Sequence, residues 1–281
     1  MQKPTPPSLP LSGEAPLCSP PDKGELEGVS FHVVIPARYA STRLPRKALL
    51  PIAGKPMVVR VAEQVAQSGA QQIWIATDHA SVMAAVHEHG FKACMTHGHH
   101  ASGTDRIAEV VEQQQWPDDT IVVNVQGDEP LMPPALICAV AQHLHDHPEC
   151  AIATACHAIH DEAAMRNPNI VKVVLDKNNN AMYFSRAPIP WPRDVFAQGA
   201  VPAKNISALR HIGIYAYRAS FLRAFGQLAP AAIEQTESLE QLRALWHGYK
   251  IGVTLSADAP PGGVDTEQDL FAVRKLFEAG V

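Results

Sequence analysis

The chain has 281 residues, enough for one large α/β domain or two small ones. Its 46% hydrophobic and 18% charged content is that of a globular protein, and its net charge of -5 argues against nucleic acid as a partner. No apolar run reaches the roughly 18–20 residues that span a bilayer, the start lacks a secretory signal's apolar stretch, and five cysteines without a C-x-x-C pair fit a reduced, cytoplasmic protein with no membrane partner.

Residues 1–29 are Pro-rich and aperiodic, so they read as a disordered extension. Residues 30–281 read as one folded domain. Phe31–Ile35 is a buried strand, Pro56–Gln67 a helix stopped at Gly69, and Gln72–Ala76 the next strand. His79–Glu88 and Ile107–Gln114 read as helices, Thr120–Val125 as a strand, and Pro133–Leu144 as a helix. Strands alternating with helices imply βαβ units and a mostly parallel sheet. The pattern changes after about residue 150. Ala151–Ala158, Val171–Leu175, Ala181–Ser185 and His211–Tyr217 are strand-like, and Asp176–Asn180 is a turn between two of them. Glu234–Trp246 reads as one amphipathic helix, Lys250–Leu255 as a strand and Thr266–Phe277 as a closing helix. The expected fold is α/β, a parallel sheet with an antiparallel insertion layer at about 151–220.

Ligands of open parallel sheets bind beyond the carboxyl ends of the strands. The loop after the first strand, Pro36–Lys47, carries Arg38, Arg43, Arg46 and Lys47 among small residues. Guanidinium forks and an ammonium charge suit closely spaced phosphate oxygens. The loop is neither a Walker A motif nor a G-x-G-x-x-G fingerprint. On charge alone, a solvated basic loop is an equally good reading. Asp128, in Gln126-Gly-Asp-Glu-Pro130, follows a buried strand and reaches the same sheet edge. Asp265 precedes the last helix, where its bland reading is an N-cap. Glu129 reads equally well as exposed. Two carboxylates distant in sequence and close at one edge would suit Mg²⁺. The clusters His97, His99, His100 and His143, His145, His147 read as solvated loop or helix ends rather than metal sites.

Ile35-Pro-Ala-Arg-Tyr-Ala-Ser-Thr-Arg-Leu-Pro-Arg-Lys47 resembles the N-terminal signature of the CMP-Kdo synthetases, the 3-deoxy-manno-octulosonate cytidylyltransferases. The resemblance continues in order through Gly54–Met57, Ala76–His79, Ser102–Arg106, Asn124–Pro130, Asn169–Asp176, Tyr183–Arg186, Leu209–Tyr215, Leu239–Arg243 and Gly263–Thr266. It implies a Rossmann-like nucleotidyltransferase sheet and transfer of CMP from CTP to Kdo, with release of pyrophosphate, for lipopolysaccharide synthesis. By the same resemblance Ala37, Arg38, Arg43 and Lys47 contact CTP, with Lys47 on the phosphates, and Ser102, Gly103 and Arg106 read cytosine and ribose. Asp128 and Asp265 are implied as Mg²⁺ ligands, and Arg38, Arg43, Lys47 and Asp128 as the catalytic set. Gln126, Arg186, His211, Glu240 and Gln241 are implied to line the Kdo site, and the protein to form a homodimer. Locally, Glu240 and Gln241 look like an exposed helix face, and His211 like a bonded strand histidine. Two departures are visible: Arg46 stands where many relatives have Gly, and Asp105 where many have Glu. The rival readings are a cytidylyltransferase for a sialic acid or 8-amino Kdo, a metal-dependent glycosyltransferase, and a non-catalytic nucleotide-binding protein. Asp128-Glu-Pro130 lacks the second Asp of a glycosyltransferase D-x-D.

Overall fold

The computed structural model describes residues 28–100, 102–193 and 208–279, so the extension expected over residues 1–29 lies outside them except for Gly28 and Val29. The first strand, β1 (Phe31–Ala37), is the centre of the architecture. Val33, Val34 and Ile35 are fully buried, as expected of a parallel strand covered on both faces. β1 pairs in parallel with β4 (Gln72–Thr77) on one side and β6 (Ile121–Asn124) on the other, and β5 (Lys92–Met95) follows β4 in parallel. β2 (Pro51–Ile52) and β3 (Lys55–Pro56) form a small separate hairpin.

Beyond β6 the same sheet continues with reversed strands. β10 (Ala208–Arg218) runs antiparallel to β6 and to β7 (Ile152–Ile159), and β11 (Ile251–Leu255) lies parallel to β7. β8 (Lys172–Leu175) and β9 (Ala181–Ser185) form the expected hairpin, docked on β10 through β8. The antiparallel strands therefore extend the parallel sheet edge to edge; they do not stack on it as a separate layer. The order is β11-β7-β10-β6-β1-β4-β5.

Helices α1 (Met57–Val65), α2 (Ala80–Glu88) and α4 (Pro134–Asp146) fall where the periodicity placed them, and Gly69 ends the turn after α1 at φ 83°. α3 (Gly103–Gln113) begins four residues before the expected Ile107, because Ser102 caps it by accepting from the Asp105 N–H at 3.1 Å. Five short elements were not read from sequence: β2, β3, β5, α5 (Glu162–Arg166) and α6 (Ala219–Phe225). The helix expected over 234–246 is two helices, α7 (Ala232–Glu237) and α8 (Gln241–Trp246), broken at Ser238 with φ 52°. The break has a consequence. α7 buries none of its residues, while α8 turns Gln241, Leu242 and Ala244 inward. α9 (Glu267–Glu278) closes the chain, capped by Thr266 with Asp269 reciprocating.

Candidate active site

The chain leaves β1 into the basic loop, and three contacts fix its path. The Tyr39 N–H donates to Asp78 Oδ1 at 3.0 Å. Asp78 Oδ2 accepts from Arg106 at 3.1 Å, and Arg106 also donates to Thr96 Oγ1. The Tyr39 ring stacks on His79 with centroids 3.6 Å apart. Burial pulls the Arg106 guanidinium below its ordinary pKa, and the Asp78 carboxylate opposes that shift. The Arg106 side chain is 0% exposed. Arg106 lies beneath the loop as the counter-ion of Asp78, with its Nε buried and without a partner. Asp78 was not singled out from sequence, although it sits at the carboxyl end of β4, where the sheet-edge rule applies.

Arg38 is exposed and donates to the His100 carbonyl at 3.1 Å. Farther along, Arg46 adopts φ 57° and begins a single 3-10 turn at Lys47–Leu49. That turn aims Lys47 inward. Its Nζ donates to Asp128 Oδ2 at 2.5 Å and to Asp265 Oδ1 at 3.0 Å, and Arg43 pairs with the same Asp265 oxygen at 2.9 Å. Burial draws the Lys47 ammonium down, but Asp128 and then Asp265 outweigh it and hold it above its ordinary value. Lys47 is charged at any working pH.

The two aspartates meet for reasons written in the backbone. The Val264 N–H donates to the Asp128 carbonyl at 2.8 Å, which holds the 262–266 segment against the turn after β6. Thr266, not Asp265, caps α9, so the N-cap reading of Asp265 fails and its carboxylate is left for the cations. Gly127 is required where it stands: a Cβ there would lie 2.7 Å from the Pro36 carbonyl oxygen. The turn carrying Asp128 therefore presses directly on the end of β1. Glu129 is not exposed in the sense first considered. Burial, reinforced by Asp128 and Asp265, pushes its carboxyl up to about 8, and its Oε2 has no partner.

A cavity of about 210 Å³ is lined in part by Gln126, two residues before Asp128 in the chain. One wall is apolar: Ile152, Tyr215, Tyr217, Phe221 and Phe225. The other is polar and neutral or acidic: Thr104, Asn124, Gln126, Glu240 and Gln241, with Gly103 at the edge. Gln126, Glu240 and Gln241 are thus brought together as the resemblance implied. Gln241 is buried and its Nε2 has no partner, a donor placed to meet an acceptor. Burial raises the Glu240 carboxyl above the usual range, offset by hydrogen bonding to Thr104 and Ser102. The exposed-face reading of Glu240 and Gln241 was wrong because it treated 234–246 as one surface helix.

Two members of the implied sugar set do not line the cavity. Arg186 spends three of its five N–H groups on backbone carbonyls, donating to Glu237 at 2.7 Å, Pro168 at 3.0 Å and Ser238 at 3.4 Å. It braces the break between α7 and α8. His211 lies behind Tyr215, with ring centroids 5.3 Å apart, and its Nε2 is 3.0 Å from Thr154 Oγ1. Thr154 in turn donates to the Ile214 carbonyl at 2.6 Å, across a bulge in β10. Nε2–H is therefore the donor in the His211 contact, and burial drives this imidazole down to about 3. The bland reading of a bonded strand histidine describes it well. Asn124, Thr104 and Tyr217 were missed, having no charge to draw notice.

Among the described residues no group of three or more His, Cys, Asp or Glu is arranged to hold a metal ion. No helix of the described residues is long and apolar enough to cross a membrane.

Known proteins resemble this chain in sequence and fold. The Cytidylyltransferase family pattern matches residues 32–251. A CMP:2-keto-3-deoxy-manno-octonic acid synthetase, solved in complex with CTP, is 43% identical, with a TM-score of 0.81, over 90% of this chain and 100% of its own. A cytidylyltransferase from Leptospira borgpetersenii serovar Hardjo-bovis, at 13% identity and a TM-score of 0.58 over 90% of this chain and 88% of its own, shares the fold. The chain belongs to the cytidylyltransferase family and, within it, to the CMP-Kdo synthetases.

Proposed function

We propose that this protein transfers CMP from CTP to Kdo, releasing pyrophosphate, as the step that activates the acid sugar for lipopolysaccharide assembly. The observation that carries the reading is the meeting of Asp128 and Asp265 on Lys47, beside a cationic loop at the carboxyl edge of the parallel strands. Likeness to a synthetase solved with CTP supports the choice of nucleotide.

The Kdo C2 hydroxyl oxygen forms a bond to the α-phosphorus. The bond from that phosphorus to the β-phosphoryl oxygen breaks, pyrophosphate leaves, and the hydroxyl proton passes to solvent. Arg38, Arg43 and Lys47 supply fixed positive charge where the leaving group's charge develops. Ala37, Ser102 and Gly103 border the nucleoside. Gln126, Glu240 and Gln241 address the sugar hydroxyls, and the aromatic wall excludes water from that side. Arg186 retains two N–H groups after its backbone bonds, and we keep it as the candidate for the Kdo carboxylate.

The donor set suits Mg²⁺. Two carboxylates already share one cationic atom, and with so few protein ligands the remaining positions fall to phosphate oxygens and water, the arrangement Mg²⁺ favours. Held by Asp128 and Asp265, Mg²⁺ would neutralise triphosphate charge during transfer. A cytoplasmic location and a homodimer complete the reading. Met182, 63% exposed on β9, gives the antiparallel half an apolar surface for a second copy.

Pyrophosphate release with Mg²⁺, CTP and Kdo tests the proposal, with each other nucleotide and with a sialic acid or 8-amino Kdo substituted in turn. Fastest turnover with CTP and Kdo is expected. Preference for another acid sugar by kcat/KM would move the protein to a sister specificity.

A further inference from the structure

The first turn of α3 carries residues assigned to CTP and reaches the cavity assigned to Kdo. Its cap, Ser102, and first residue, Gly103, belong to the stretch assigned to CTP. Gly103 and its neighbour Thr104 both line the cavity. Thr104 is buried and lines the cavity, and its hydroxyl donates to Glu240 Oε1. The Tyr217 hydroxyl lies 3.4 Å from the same Thr104 oxygen. Glu240 begins the turn into α8 and lines the cavity with Gln241. The residues in contact are 136 positions apart, and Ser102 also hydrogen-bonds Glu240, so two side chains at the start of α3 tie it to the start of α8. Ser102 cannot shift without moving Thr104, because both lie in the capped first turn of one helix. Thr104 in turn cannot shift without breaking its bond to a carboxyl that faces the sugar.

Resting on the functional reading above, we propose that Thr104 is a positioning residue that couples the two substrate sites. Its hydroxyl registers the first turn of α3, on the nucleotide side, against Glu240, on the sugar side. A substrate that displaces or holds either end of this bond acts on the other end through it. Coupling between binding events is reciprocal, so each substrate raises the apparent affinity for the other by the same factor.

The test is two-substrate initial-rate kinetics on the full chain with Mg²⁺. In wild type, the KM for Kdo falls about 5-fold or more between low and saturating CTP, and the KM for CTP falls equally with Kdo. Thr104→Val keeps the branched shape and removes the hydroxyl; its coupling factor drops toward 1 while kcat at double saturation changes less. Thr104→Ser keeps the hydroxyl and restores the coupling, which a purely space-filling role would not predict. Thr104→Ala is a second hydroxyl-free variant should the valine not fold. A wild-type factor near 1, or an unchanged factor in the folded hydroxyl-free variant, overturns the inference while leaving the reaction intact. No wild-type turnover with CTP and Kdo sinks the functional reading and the inference together.

Discussion

The phosphate loop and the sugar cavity are built on opposite principles. The loop gathers exposed or half-buried cations and ties them to carboxylates: Arg43 and Lys47 to Asp265, and Lys47 to Asp128. The cavity is lined by aromatic rings and neutral or acidic groups, and the basic residues assigned to it, Arg186 and His211, sit outside its lining. The loop arginines stay near water, while Lys47, 14% exposed, is kept charged against its own burial by Asp128 and Asp265. Hydroxyl recognition needs buried donors and acceptors, whose value rises as water is excluded. A change in the loop should therefore reach the chemistry, and a change beneath either region should reach stability.

The sharpest test of that division is Asp128→Asn. It preserves shape but removes the charge that faces Lys47 and the proposed Mg²⁺. We expect kcat to fall about 10³-fold, with little loss of thermal stability, because the Asp128 side chain is a third exposed. Near-wild-type turnover with Mg²⁺ would remove Asp128 from the metal site.

Asp78→Ala should do the reverse. It leaves the Arg106 guanidinium, 0% exposed, without its counter-ion, a loss of about 3–5 kcal/mol in similar buried pairs. It also frees the Tyr39 N–H that anchors the loop. Chemical denaturation should show the stability loss, and the KM for CTP should rise more than that for Kdo. Equal rises would mean that Asp78 does not act through the loop.

What was legible in the sequence follows the same division. The loop could be read because a strand, a basic loop and a turn at Asp128 are each local patterns, and the sheet edge unites them. The cavity could not. Glu240 and Gln241 read as a surface helix because Ser238, an ordinary residue in a left-handed conformation, gives no sign that the helix breaks. Arg186 and Arg106 carry the charge expected of ligand readers, and their bonds within the protein, to backbone carbonyls and to Asp78, are distant contacts that no local pattern announces. Short elements such as α6 and β5 offered too few residues to show a period.

Acid should expose the buried side of the comparison. His211 is depressed to about 3 when folded, against an unfolded value near 6.5. Between those values the unfolded chain binds a proton that the native chain refuses, so stability is full above about 6.5 and falls as pH drops toward 3. Inside that window the single group costs about 1.4 kcal/mol per pH unit. Denaturant midpoints from pH 7 to 4 measure the slope, and His211→Gln should flatten it. An unchanged slope would assign the acid sensitivity to other groups, of which His143, lowered to about 4, is the first to try.

The smallest effect expected is at Arg46. It holds φ 57°, where a side chain costs roughly 1 kcal/mol that Gly does not. Gly at this position would not carry that strain. Its guanidinium lies 5.7 Å from the Tyr39 ring centroid, a contact worth about 0.5–1 kcal/mol at an exposed site. The two terms nearly cancel, so Arg46→Gly should change stability by less than about 1 kcal/mol. Turnover should fall only a few-fold, since Arg46 makes no ion pair with Asp128 or Asp265, whereas Lys47→Ala should lose about 10²-fold or more. The two variants differ by one position along the loop and by the direction in which the turn points them. Comparable losses in kcat would mean that net charge, not aim, is what the loop contributes.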